Sequence, residues 1–316
     1  MTLTRNSYKI SGSPLSIDVF TIRGRKDGPV LGVTGSIHGD ELEGPLALSS
    51  LISSIGKGDD IVGTLIIVPI ANPAAVASGV RCTPADGGNL ARTFPGRSDG
   101  TVTESIAALV NEHVLQKVTH FIDLHSAGAT SASPLFTGYV ATPETAAVAR
   151  EMAVAFAAPV VWRHDPPVPP GRTLTVCAER NVPSIYLEAT GGLNPPQDVI
   201  DAYRDGVLRV MAHLNMIAPM PPADVVPIFL SGDGNTDSPT CQAPERGLLE
   251  CHVEPLQTVT ADQLCFTLRD LDGSILNEVR PGVSGVITFV RKSRWAEKGS
   301  LLLSITVDDK LEAANG

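Results

Sequence analysis

Aromatic residues make up only 4% of this 316-residue chain, and nowhere in it do 18 apolar residues follow one another. The second absence excludes a membrane-spanning helix. The first leaves a core to be built from Val, Ile, Leu and Ala, which the 43% hydrophobic share supplies. That palette suits a buried, largely parallel sheet covered by helices. A basic surplus is also missing: 24 Lys and Arg stand against 34 Asp and Glu, for a formal net charge of −10. Nucleic acid and anionic membrane are therefore excluded as general partners, because nothing is available to neutralise many phosphates. A small local cationic pocket remains compatible with that charge. The five cysteines, an odd number, contain no C-x-x-C pair. They argue against a disulfide framework or a zinc ribbon and for reduced thiols in a cytoplasmic protein. Met1 to Asp18 has no apolar core of a secretory signal. No G-x-S-x-G, P-loop or G-x-G-x-x-G motif occurs.

What is present is an alternation of β-rich and helical runs from residue 16 to about 217. Strands are expected over Ser16 to Arg23, Pro29 to Ser36, Thr64 to Ile70, His120 to Leu124 and Pro183 to Glu188. Apolar residues at helical spacing predict a helix from Glu41 to Ile55. Thr101 and Glu104 form a capping-box pattern ahead of Ile106. Thr142-Pro143 reads as an N-cap and first-turn proline of a helix reaching about Ala157, and another helix is expected over Gln197 to Ile217. Strands separated by helices in this order indicate an α/β domain with a mostly parallel central sheet. The proline-rich stretch from Ala218 to Pro222 ends that pattern. We place a boundary there: residues 1–222 form the α/β domain and 223–316 a small all-β domain with a frayed tail from Asp308. Its strands are expected over Gly247 to Val253, Leu264 to Asp270, Gly285 to Arg291 and Ser300 to Val307, with turns at Asp272-Gly273 and Pro281-Gly282.

Three short segments carry the chemistry: His38-Gly39-Asp40-Glu41, Asp123-Leu124-His125 and Tyr186-Leu187-Glu188. Each falls at or just beyond the C-terminal end of an expected strand, the edge at which open α/β sheets bind ligands. Singly, His38 and Glu41 are better explained as a loop histidine and a first-turn carboxylate. Together, His38, Glu41 and His125 fit a two-His, one-carboxylate zinc site with a position left for water. Glu188 is then suited to act as general base, and Asp123 to orient His125.

Beyond these, the chain resembles the succinylglutamate desuccinylase/aspartoacylase family, a branch of the zinc carboxypeptidase superfamily. The resemblance lies in Gly35-Ser36-Ile37-His38-Gly39-Asp40-Glu41, Ala71-Asn72-Pro73, Arg81, Asn89-Leu90-Ala91-Arg92-Thr93-Phe94-Pro95-Gly96, Asp123-Leu124-His125 and Leu187-Glu188. It covers roughly residues 16 to 217. The C-terminal part, with Pro281-Gly282-Val283-Ser284-Gly285 and Lys298-Gly299, is similar to the barrel-like appendage of these proteins. The resemblance implies one zinc per chain on His38, Glu41 and His125, and Glu188 as the catalytic glutamate. It also implies that Arg81 polarises the scissile carbonyl and that Arg92 grips a substrate carboxylate. Guanidinium chemistry suits both roles, being permanently charged and forked.

One departure concerns substrate recognition. Where the family pattern reads Asp-Leu-Asn-Arg-x-Phe-Pro-Gly, Ala91 replaces the asparagine that helps the arginine hold a carboxylate, and Asn89 is the nearest substitute amide. The expectation is accordingly a zinc-dependent deacylase of an N-acyl amino acid or a related small N-acyl amine, compatible with a homo-oligomer. A metallocarboxypeptidase acting on short peptides and a non-catalytic carboxylate-binding protein are the competing readings. His164-Asp165, ahead of a proline run, reads as a loop pair. His113, His120, His213 and His252 have no metal-like partners in the sequence. Asp233 to Asp237 lacks the glycine and terminal carboxylate of a calcium loop. The β domain also resembles lipoyl- and biotin-carrier barrels but has no lysine in a recognisable modified turn, and it reads as a structural or lid element.

Overall fold

A computed structural model describes residues 1–55, 61–232 and 239–306 of the chain. The calcium-loop-like stretch and the tail from Asp308 lie outside the described residues. In the first part, β1 (Thr2–Lys9), β2 (Ser16–Arg23) and β3 (Lys26–Gly35) precede α1 (Glu43–Ile55). Then come β4 (Val62–Val68), α2 (Pro73–Ser78), α3 (Val102–Val110), β5 (His120–Leu124), β6 (Ser131–Ala132), β7 (Phe136–Val140) and α4 (Ala146–Phe156). The series continues with β8 (Val160–His164), α5 (Thr173–Glu179), β9 (Ser184–Glu188), α6 (Gln197–His213) and β10 (Ile228–Ser231).

Nine of these strands form one sheet in the order β1-β2-β4-β3-β5-β9-β7-β8-β10. Strands β4, β3, β5 and β9 run parallel in its middle, as do β7, β8 and β10 among themselves. Antiparallel pairings join β1 to β2, β2 to β4 and β7 to β9. Because the four central strands are parallel, the segments leaving β3, β5 and β9 emerge at one edge. In-register pairing puts Thr34, Asp123 and Tyr186 in a row there.

Helices cover both faces of the sheet. One side is packed by α1, α4 and α6 through Leu48, Leu51, Met152, Phe156, Tyr203 and Val207, and the other by α3 and α5 through Ile106, Val110, Leu174 and Cys177. Side chains of this size, fully withdrawn from water, each contribute about 1.5–3 kcal/mol. The core is aliphatic, as the composition requires. Several of the rare aromatics instead cluster at one seam, where Phe136 meets Trp162, Tyr186 and Phe289 edge-on at 5.2, 5.6 and 6.0 Å between ring centres.

Beyond β10, the strands β11 (Cys241–Gln242), β12 (Gly247–Cys251), β13 (Thr258–Val259), β14 (Phe266–Arg269), β15 (Ile275–Val279), β16 (Gly285–Arg291), β17 (Trp295–Ala296) and β18 (Leu301–Thr306) build two antiparallel sheets. They close over Leu249, Phe266, Leu268, Ile287, Leu302 and Leu303. Links between this part and the α/β part include the pairing of β6 with β16, the Phe136–Phe289 contact and a hydrogen bond donated by Thr306 Oγ1 to the Ser231 carbonyl at 2.8 Å. The chain after the Ala218 to Pro222 stretch thus returns to the nine-stranded sheet as β10 before entering the β region. None of the five cysteines is disulfide-bonded. Among the described residues, no helix is long and apolar enough to cross a membrane.

Two helix starts show how local chemistry operates. The capping box is formed: Thr101 Oγ1 accepts from Glu104 N, and Glu104 Oε2 accepts from Thr101 N. The helix expected to begin at Thr142-Pro143 begins three residues later, at Ala146. The Thr142 carbonyl accepts from Thr145 N and Ala146 N, so residues 143–145 make a turn and the proline lies outside the helix.

Asp86 ties the loop carrying Asn89 to the start of α3. Its Oδ2 accepts from Thr103 N at 2.8 Å, and its Oδ1 from Thr103 Oγ1 at 2.6 Å and Gly88 N at 2.9 Å. Burial by itself raises its pKa, but these donors outweigh it and hold the carboxyl at about 2, against an ordinary 3.8. A depressed folded pKa stabilises the native state above the unfolded value and ceases to do so as pH falls through the folded one. Asp86→Ala is expected to cost about 1 kcal/mol near neutral pH, discounted for its exposure. In urea unfolding, the gap from the parent should shrink between about pH 4 and pH 2; a pH-independent gap would remove the carboxylate from this role.

Candidate active site

The segment from Ser36 to Leu42 links β3 to α1 under tight steric constraints. Ser36 adopts a left-handed conformation (φ 46°), and its hydroxyl donates to the Glu41 carbonyl at 2.7 Å. A Cβ on Gly39 would stand 2.0 Å from the Ala75 carbonyl carbon, so only glycine lets this loop lie against α2. The Ala71-Asn72-Pro73 segment forms the other side of that contact. Asn72 caps α2 through Ala75 N, while Ala71 N and Asn72 N donate to the Gly35 and Ser36 carbonyls.

This loop turns His38 and Glu41 inward, where both are almost fully buried. His125 follows β5 and meets them. His38 Nδ1 lies 2.7 Å from Glu41 Oε1, and His125 Nδ1 lies 3.1 Å from Glu41 Oε2. The opposite ring nitrogens have partners of their own: His38 Nε2 is 3.0 Å from Asn89 Oδ1, and His125 Nε2 is 3.1 Å from Asp123 Oδ2. With an N–H directed at each of those oxygens, both Nδ1 lone pairs would be free to ligate a cation held beside the Glu41 carboxylate; with no cation there, the same nitrogens can serve that carboxylate as donors. Asp123 is held in turn by Thr34 Oγ1 at 2.6 Å and Thr173 Oγ1 at 2.5 Å.

Charge at this point is unbalanced in favour of a cation. Burial acts to raise the Glu41 pKa, but His38 and His125 overcome it and hold the carboxyl well below its usual range. Burial lowers the His38 pKa, which favours the neutral imidazole that metals bind. For His125, burial pulls the pKa down while Asp123 and Glu41 raise it well above the ordinary value, so two carboxylates draw positive charge to the same spot. The donor atoms of His38, Glu41 and His125 lie within 4.8 Å of one another. Two imidazoles and a carboxylate converging in this way suit a zinc ion, whose bonds to such donors are about 2.0–2.2 Å long.

A cavity of about 420 Å³ opens beside the cluster. Glu188, at the end of β9, lines it, and its Oε2 is buried with no hydrogen-bond partner among the described residues. Burial first, then Glu41, pushes its pKa up to about 8. Arg81 and Arg92 line the same cavity. Arg81 Nη1 donates to Glu41 Oε1 at 3.1 Å, and Arg92 Nη1 donates to the Ala91 carbonyl at 2.9 Å. Asn89 stands apart from the other residues singled out in the sequence: it caps the short turn Leu90–Arg92, and its Oδ1 accepts from Ala91 N at 3.0 Å as well as facing His38.

Sequence reading gave no site role to three cavity residues, Arg172, His164 and Tyr186. Arg172 lies close enough to Arg92 that each lowers the other's pKa, after burial. No local motif marks it; Gly171 (φ 84°) packs on the Arg92 backbone and its carbonyl accepts from Phe94 N at 3.0 Å, which brings the two arginines together. His164, read as half of a loop pair, is the last residue of β8 and faces the cavity. Buried Glu43 was also missed. Its Oε1 accepts from Gly192 N at 2.8 Å and so fastens the ligand-bearing loop to the segment after Glu188.

Residues 27–214 match the succinylglutamate desuccinylase/aspartoacylase catalytic domain. The chain belongs to this family. A succinylglutamate desuccinylase of a Silicibacter species has the same fold, with a TM-score of 0.83 and 25% identity over 96% of this chain and 93% of that one. The ectoine utilization protein EutE (DoeB) of Ruegeria pomeroyi, solved with product bound, gives a TM-score of 0.82 and 27% identity over 97% and 94%. In sequence, 110 residues are 44% identical to N-alpha-acetyl-L-2,4-diaminobutyric acid deacetylase of Halomonas elongata. That match spans 35% of this chain and 32% of the relative.

Gly39→Ala is expected to press the metal-facing loop away from α2. Metal titration of the folded variant should show affinity at least tenfold weaker than the parent; undiminished affinity would mean the loop tolerates the added methyl.

Proposed function

We propose that this family member is a zinc-dependent amidohydrolase that releases an acyl group from a small N-acyl amino acid. The observation that carries the reading is the convergence of His38, Glu41 and His125 beside the unpartnered Glu188 Oε2, in a cavity walled by three arginines. A zinc ion, when bound, supplies Lewis acidity that polarises the amide carbonyl and lowers the pKa of water. His38, Glu41 and His125 hold it, with Asn89 and Asp123 orienting the two imidazoles.

Glu188 is the general base and later the general acid. It takes a proton from the attacking water and returns it to the leaving amine, a task suited to a carboxyl whose pKa is raised toward neutrality. Arg81, already tethered to Glu41, faces the oxygen on which negative charge develops. Arg92 and Arg172 together attract the substrate carboxylate, and the adjacency of two half-buried guanidiniums supplies the attraction that Ala91 cannot. The wall contributed by Phe289 of β16 encloses the cavity and favours a small substrate over a peptide. The acetylated diamino acid named for the Halomonas relative lies within this substrate class.

Zinc-reconstituted protein should release free amine from at least one of a panel of N-acetyl, N-succinyl and N-formyl amino acids, and lose that activity with a chelator. Higher kcat/KM on short peptides would favour a carboxypeptidase instead. Glu188→Gln should keep its metal while kcat falls by about 10²–10⁴. In the parent, kcat/KM should rise with pH as Glu188 ionises, with its midpoint below the metal-free value of about 8, because a nearby cation stabilises the carboxylate. Full activity in Glu188→Gln would refute the assignment.

A further inference from the structure

A second cavity, of about 280 Å³, lies away from the metal cluster and shares no lining residue with the catalytic one. Its volume falls just under the usual range of small-molecule sites, roughly 300–1,000 Å³. Its floor belongs to the α3 side of the first half of the sheet. Register sets Arg23, Thr64 and Val30 abreast on β2, β4 and β3, with Thr21 beside Ile66 one row on. All five line the cavity.

The wall is made where α3 runs on into a widened turn. Gln116 N donates to the Asn111 carbonyl, five residues back, and Asn111–Leu115 form a turn of π-helix. Single turns of this kind are rare and occur often at functional sites. This one lays the His113 ring flat against Tyr8, at 3.6 Å between centres and 13° between planes, and Lys117 follows it into the lining. His113 Nδ1 is buried with no hydrogen-bond partner among the described residues. In either tautomer, that nitrogen is left with an unmet donor or lone pair.

Charge here runs against that of the chain as a whole. None of the ten lining residues is Asp or Glu, although the chain holds 34 of them. Arg23 and Lys117 both line the cavity, and neither forms an ion pair with an acid among the described residues. Glu112, beside this wall, stands 3.9 Å from His113 Nε2 but is 73% exposed and outside the lining. Asp18 alternates to the other face of β2, where Arg5 and Ser7 donate to it. The amides of β2 and β4 are engaged by strands on both sides, so the floor offers no backbone cradle for a phosphate. Two side-chain cations over Val30 and Ile66 suit a carboxylate on a compact apolar body.

From this lining we infer that the cavity is a second ligand site, which takes a small carboxylate with an apolar or aromatic body, its anionic end held by Arg23 and Lys117. It is separate from the catalytic cavity and involves none of the residues that act on the amide.

Benzoate, titrated calorimetrically into the whole chain, is the probe. The arginines of the catalytic cavity can bind a carboxylate too, so variants separate the two sites. Arg23→Gln and Lys117→Gln, both at exposed positions, should each weaken one benzoate-binding event by about tenfold, and Arg92→Gln should leave that event unchanged. His113→Phe keeps a ring on Tyr8 but removes the nitrogen, and should weaken the same event by about threefold. Circular dichroism of each variant checks that the fold is retained. Inorganic phosphate should bind at least tenfold more weakly than benzoate in the parent; equal binding would overturn the carboxylate assignment. Benzoate binding that disappears in Arg92→Gln alone, or the lack of any binding sensitive to Arg23→Gln and Lys117→Gln, would overturn the site. Because no arm of the experiment reads turnover, failure of the deacylase reading would leave its outcome unaffected.

Discussion

Every segment of the site meets at one buried anion, the Glu41 carboxylate. Its two oxygens are approached by His38 Nδ1, Arg81 Nη1, His125 Nδ1 and the backbone N–H of Ser126, which come from three separate stretches of chain. A carboxylate taken out of water survives only when charge and donors surround it. The need to satisfy this group therefore couples the loops after β3 and β5 to the loop bearing Arg81. Glu43 and Asp40 extend the coupling. The first accepts from Gly192 N and the second from Ala129 N at 3.0 Å, so the acids flanking Glu41 fasten its loop to its neighbours rather than to solvent.

The same constraint sorts the electrostatics of a chain that is strongly acidic overall. Net charge of −10 describes the surface. In the cavity Arg81 is paired with Glu41, while Arg92 and Arg172 lie close enough that, after burial, each lowers the other's pKa; Asp123, Asp165 and Glu188 share the lining. Burying like charges side by side is unfavourable unless an anion offsets it, so the walls are pre-organised for a negatively charged guest. An acidic chain and a local pair of guanidiniums are compatible because charges inside the cavity are less screened by counterions than those outside.

Much of this was legible in the residues. The strand-helix alternation gave the α/β layers because periodicity reports burial directly, and β2, β5 and β16 run as expected, Ser16–Arg23, His120–Leu124 and Gly285–Arg291. The metal-facing trio was legible because its members cluster in short motifs at strand ends. Strands β7 and β8 were harder to see: Phe136–Val140 and Val160–His164 are short apolar runs without alternation, a pattern that strands and buried helix segments share. Asn89 shows a different limit. Its place beside Arg92 suggested a substrate amide, while in the fold its oxygen faces a histidine 51 positions away in the chain.

Most of the strand-helix alternation and the capping of α3 were determined by the sequence alone, because each depends on periodicity or on neighbours a few residues apart; the His38, Glu41 and His125 grouping was legible from motifs at strand ends, though β3–β5 pairing is what brings His125 to Glu41 from 84 positions away. Tertiary structure alone decided that Arg172 joins Arg92, that Phe289 lines the cavity, and that Tyr186 meets His164. Those contacts link residues far apart along the chain, and sheet order and loop packing, which no local pattern encodes, bring them within reach.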